Sequence, residues 1–122
     1  MKTINKLENG RAAFAYECAK EGAKFGGEYK SYVKKIPMLI KTNGLGATVA
    51  FMKYKGGVYE EIYKHLSEWF KKEENPFKFD VNELVKDICE MNSQQYRAVT
   101  DETLAFFTWL RRFADGLIED DE

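Results

Sequence analysis

Few side chains in this chain of 122 residues have types that do chemistry on their own: one histidine, His65, two cysteines, Cys18 and Cys89, and three serines, Ser31, Ser67 and Ser93. A nucleophilic serine needs a base held beside its hydroxyl. None of the three sits in a strand-to-helix elbow, and a lone histidine leaves a catalytic triad without support. Zinc sites announce themselves by closely spaced Cys and His, whereas these cysteines stand 71 positions apart, so no metal site is read from the spacing. His65 falls between the apolar stripe and the polar face of its helix and reads as a surface or boundary histidine rather than an acid-base group. Asn43-Gly-Leu-Gly46 carries two glycines of a phosphate loop but no preceding strand and no third glycine. It reads as a turn between helices, although a helix starting after Gly44 would offer free amides to a phosphate. Glu119 to Glu122 would hold a divalent cation only on a rigid frame and reads as a solvated tail. The expectation is a protein with no catalytic residues, no cofactor and no metal.

Cations are the more suggestive group. At about 100° per residue, Lys30, Lys34 and Lys41 fall within an arc of roughly 40° on the second helix, opposite Tyr32, Ile36 and Ile40. On a continuous helix the row would span roughly 16 Å, matching a few phosphates of a nucleic-acid strand. Lys35 flanks it, and Lys53 and Lys55 follow on the third helix. The plainer reading of such a row is a solvated face. Arg11 is different, because it lies between Leu7 and Phe14 on a stripe that should face the core. A buried guanidinium wants a carboxylate, and Glu102, set among apolar residues of the last helix, is the expected structural partner. On that helix Val99, Thr103, Phe106, Leu110, Phe113 and Leu117 form the main stripe, leaving Trp109 and Arg112 on a second side. Trp109 there is either an interface anchor or a core residue.

The elements that must position these groups are all helical. Two prolines, helical spacing of the apolar residues and few strand signals predict an all-α single domain, a compact bundle of about six helices over residues 1–118 followed by an acidic tail at 119–122. The first helix runs from Thr3 or Asn5 to about Lys24 on Ile4, Leu7, Phe14, Cys18 and Phe25, and Gly26-Gly27 stops it. Tyr29, Tyr32, Val33, Ile36 and Ile40 make the second, which Pro37 should kink or split near Ile36. Leu45, Thr48, Val49 and Met52 make a short third, closed by Gly56-Gly57. Tyr59 to Phe70 form the fourth, ending at Lys71-Lys72. After a loop from Glu73 to Phe79, Asp80 and Glu83 form a capping-box-like start to the fifth, whose Val81, Leu84, Val85 and Ile88 face inward. The sixth runs from near Ser93 to about Ile118.

The longest charge-free window, Thr42 to Met52, is far shorter than the roughly 20 residues of a membrane span, and the chain opens without a charged-then-apolar leader. A cytoplasmic protein is expected, with Cys18 and Cys89 as buried free thiols. Residues 1–57 hold 11 Lys or Arg against 4 Glu, while residues 58–122 hold 8 against 16 Asp or Glu. This split suits a phosphate-facing surface in one place and a protein-facing or solvated acidic one in another, unless the helices interleave and average the signs.

Arg11-Ala-Ala-Phe-Ala15, Tyr32-Val-Lys-Lys-Ile-Pro-Met-Leu-Ile40, Asn43-Gly-Leu-Gly-Ala-Thr-Val-Ala-Phe51 and Glu102-Thr-Leu-Ala-Phe-Phe-Thr-Trp-Leu-Arg-Arg-Phe-Ala114 together resemble the small helical subunit family of the type III-B CRISPR effector, the Cmr complex. The resemblance covers about half the chain and leaves residues 56–95 aside. It implies a noncatalytic RNA-binding subunit of an antiviral ribonucleoprotein, stacked in several copies beside the backbone filament, with CRISPR RNA, target RNA and other Cmr subunits as partners and no membrane. It also implies phosphate contacts by Lys30, Lys34, Lys35, Lys41, Lys53 and Lys55, and by Arg111 and Arg112. The opposed charges of the two halves suit a head-to-tail contact between copies. A stand-alone helical adaptor binding only protein, or a small helical enzyme, is the alternative.

Overall fold

The computed structural model describes residues 2–119, and side chains from residue 8 onward. Six α-helices follow one another: α1 (Lys2–Gly22), α2 (Gly27–Asn43), α3 (Leu45–Lys55), α4 (Val58–Trp69), α5 (Leu84–Cys89) and α6 (Ser93–Leu117), with a 3₁₀ turn at Ala23–Phe25 between the first two. The fold is all-α, and no strand occurs among the described residues. The expected inward side chains Ile4 and Leu7 and most of the acidic tail lie outside the described side chains; Glu119 is exposed just past α6.

Helix α6, the longest, packs chiefly along α1 and α2. Asn92 starts it by accepting a 2.8 Å hydrogen bond from the Gln95 amide, satisfying one of the free donors of the first turn. Its inward stripe places Phe106 against Trp69 of α4 (ring centroids 5.9 Å) and Phe14 of α1 (6.1 Å). These rings form the middle of a core completed by Ile36, Leu45, Met52, Ile62 and Leu66. Helix α2 runs antiparallel to α6, since Lys30 reaches the Ile118 carbonyl and, one turn on, Lys34 reaches Asp115.

Helix α2 runs through Pro37 as one helical span, so of the expected kink or split the chain is not split. The proline removes one donor from the ladder, but Val33, Ile36 and Ile40 on either side are buried in one register, and their burial outweighs one lost bond. At Gly22 a Cβ would lie 2.4 Å from the Tyr29 ring, so only glycine lets α1 close this tightly on α2. Gly44 (φ 92°) turns α2 into α3 in a conformation L side chains rarely adopt.

The start of α5 differs from the expected Asp80–Glu83 box. Asp87, one turn inside, accepts the amides of Asn82 (2.9 Å) and Glu83 (3.2 Å), and Glu83 is extended with its carboxylate drawn elsewhere. Cys18 is buried as expected, but Cys89 is exposed. On so short a helix the inner face is used up by Leu84 and Ile88, and Cys89, about 100° round from Ile88, points outward. The long loop before α5 is organised by Asn75, fully buried, which donates to the Trp69 carbonyl and accepts from the Phe77 amide.

Candidate nucleic-acid interface

Helix α2 sorts its lysines by the neighbour each meets. Lys30 is only 9 % exposed and donates to the Ile118 carbonyl at 3.1 Å; α6 ends against it, so this member of the expected row points into the bundle. Lys34 is half-exposed and pairs with Asp115 at 3.3 Å. Lys41, two turns further along the same side, is exposed. Arg111 lies one turn before Asp115 on α6, so helical spacing sets Lys34, Lys41 and Arg111 along one α2–α6 seam. Lys35 sits round the helix with its ammonium 5.6 Å from the centre of the Tyr32 ring, itself stacked on Tyr59 of α4 at 3.9 Å.

A second group closes α3. Lys53 pairs with Glu83, whose hydrogen bond raises the lysine's pKa and is itself the main cause of the carboxyl's lowered one. Lys55 is exposed, and between the two Tyr54 is 74 % exposed. A basic-aromatic-basic run of this kind offers charge to a phosphate and a ring face to a base. Exposed Phe51 on α3 and exposed Met38 on α2 add apolar surface on these two helices; solvent-facing methionine and tyrosine beside lysine were the signal to look for in the sequence.

Arg112 lies 5.3 Å from the centre of the Trp109 ring. Trp109 is half-buried and stacks on Phe113 at 5.7 Å, and Phe113 meets Tyr16 of α1 edge-on at 5.3 Å. Tyr16, 39 % exposed, extends this aromatic ridge across two helices, which no spacing within one helix announces.

Arg11 and Glu102 meet in a bidentate pair, Nε to Oε2 at 2.7 Å and Nη2 to Oε1 at 2.6 Å. The Trp69 indole N–H donates to the same carboxylate at 2.9 Å, a third partner that sequence reasoning missed because it comes from α4. The Glu102 hydrogen bond is the largest influence on the guanidinium and raises its pKa further. Arg11–Glu102, Lys34–Asp115 and Lys53–Glu83 each join a cation of residues 1–57 to an acid of residues 58–122, so the helices interleave and partly average the two signs.

His65 is buried, 5 % exposed, rather than at the surface or boundary. The end of α1 and the start of α2 close over it: Tyr29 Oη lies 2.8 Å from Nδ1 and Glu21 Oε1 lies 2.9 Å from Nε2. Both ring nitrogens are thereby engaged.

The molecule is a small all-helical bundle with cations along two helices and its one histidine engaged inside. Residues 7–117 match the CRISPR-associated protein family Cas_Cmr5. The chain is similar to the CRISPR system Cmr subunit Cmr5 of Thermus thermophilus, with 34% identity over 108 residues, covering 87% of this chain and 90% of that one. Its fold is similar to that in an X-ray crystal structure of a CRISPR-associated Cmr5 family protein from the same organism, with a TM-score of 0.78, 32% identity, and coverage of 93% of this chain and 98% of that one. The chain belongs to the Cmr5 family, the small-subunit family of type III-B CRISPR effectors. None of its described helices is long and apolar enough to cross a membrane.

Proposed function

We propose that this protein acts as a noncatalytic subunit of a Cmr ribonucleoprotein, holding guide and target RNA by their phosphates while other Cmr subunits supply the chemistry. The observation that carries the reading is the set of exposed cations Lys34, Lys35 and Lys41 on α2 and Lys55 on α3, with partly buried Lys53 and exposed Tyr54 beside Lys55. Arg111 extends the α2 set across the seam, and Arg112 belongs to the Trp109 ridge. Lys30, engaged with Ile118, contributes instead to docking α2 on the end of α6. Copies stack head to tail, with Trp109, Phe113 and Tyr16 as the protein-facing ridge, in a heterologous contact that propagates along the strand. The cytoplasm is the compartment where such RNA resides.

Magnitude decides how binding works. Three phosphate contacts on a single strand give a salt slope near −2, so one copy loses roughly 20-fold in affinity between 50 and 200 mM salt. Useful retention therefore comes from several copies on one strand, where effective concentration adds to intrinsic affinity. The test is RNA retention by the assembled complex across that salt range with Lys34→Glu and Lys41→Glu introduced together. Weaker retention and a shallower slope are expected. Unchanged slope and retention, with assembly intact, favour the protein-only adaptor, a reading to which the internal Lys34–Asp115 and Lys53–Glu83 pairs lend some weight.

A further inference from the structure

We propose that Glu21, Glu61 and His65 form a binding site for a single divalent transition-metal ion such as Zn²⁺, clamping the end of α1 to α4. One donor atom from each lies within 4.8 Å of the others, although they come from two helices and no spacing in the sequence groups them. Glu61 stands one helical turn before His65 and so shares its face; Glu21 arrives from the last turn of α1.

Geometry and chemistry both suit such an ion. Tetrahedral zinc with bonds of about 2.1 Å sets its donors about 3.4 Å apart, a separation between the 2.9 Å from His65 Nε2 to Glu21 Oε1 and the 4.8 Å span of the set. The imidazole is buried and held from behind, its Nδ1 2.8 Å from the Tyr29 hydroxyl. An outer partner on the far ring nitrogen is how metal-binding histidines are oriented. When the ion takes Nε2, the ring proton resides on Nδ1 and the Tyr29 oxygen accepts it.

Access and charge agree with the site. A groove of about 250 Å³ reaches Glu21 and His65 from solvent, and its lining holds Glu17 and Glu68 against Lys72. The approach is acidic, which attracts a cation. A histidine with two carboxylates also leaves one position of a tetrahedral ion for water. Bound there, the ion would replace the direct His65–Glu21 hydrogen bond and join the end of α1 to α4 through its ligands.

The test is calorimetric titration of the full chain with ZnCl₂, paired with the melting temperature at each metal concentration. Wild type is expected to bind one ion and melt higher with it. Glu61→Gln and Glu21→Gln, each altering a solvent-reachable carboxylate, are expected to keep the metal-free fold and to lose about tenfold or more in affinity. Cys89→Ser is expected to bind as wild type does. No binding by wild type, equal binding in both glutamine variants, or loss of binding in Cys89→Ser would overturn the site.

Discussion

Glu102 and Glu83 each gather one cation and one aromatic donor. Glu102 takes Arg11 and the Trp69 indole inside the bundle, whereas Glu83 takes Lys53 and the Tyr63 hydroxyl at its edge. The side chain of Glu102 is 1% exposed and that of Glu83 is 40% exposed. Inside, every lone pair left without a donor is a cost, so the planar fork of arginine and a fixed indole suit the place. At the edge water substitutes for a lost partner, and a flexible lysine suffices. The comparison shows one arrangement serving two ends: the inner one holds α1, α4 and α6 together, and the outer one pins the entry of α5 while leaving its lysine within reach of another ligand.

Removing the inner carboxylate should have the largest effect. Glu102→Gln leaves the Arg11 guanidinium in the bundle without its counter-ion and should destabilise the protein by about 3 kcal/mol, near the lower end for buried pairs because Arg11 keeps an exposed edge. Thermal unfolding measures it, and an unchanged melting temperature would show the pair to be dispensable. Tyr63→Phe comes next. Its hydroxyl donates to Glu83 and accepts from the Val85 amide, so the loss should cost about 1 to 2 kcal/mol and raise hydrogen exchange at Val85.

Glu83→Gln should have the smallest effect, and one that depends on pH. Lys53 and then Tyr63 lower the carboxyl's pKa below its ordinary value of 4.5. Its contribution is therefore fully present above pH 4.5 and is lost as pH falls through the lowered value. The melting-temperature gap between wild type and Glu83→Gln should be widest near neutral pH and close in strong acid; high salt should narrow it too. A gap that is constant across pH would mean that the carboxylate's charge plays no part.

The stripes of α4 and α6 marked Ile62, Leu66, Phe106 and Leu110 as inward because burial follows a period of about 3.6 residues and needs no knowledge of the partner. Arg11 stood out for the same reason, as a charge on an apolar stripe. Lys30 obeyed its period too, yet whether a lysine faces water depends on what covers that arc, and the end of α6 does. Cys89 faced out because α5, only six residues long, spends its inner face on Leu84 and Ile88, and Asp87 bonding back to the preceding amides fixes where that helix starts.

The amino-acid order alone thus determined the helices, most of their inward faces and the misfit charge that needed a partner, since these follow from backbone periodicity and the cost of burying apolar or charged groups in the wrong place. Tertiary structure decided which cations remain in water, which acid each one meets, and that Glu21, Glu61 and His65 converge. Those outcomes depend on angles and distances between helices far apart in the chain, and local spacing carries no record of them.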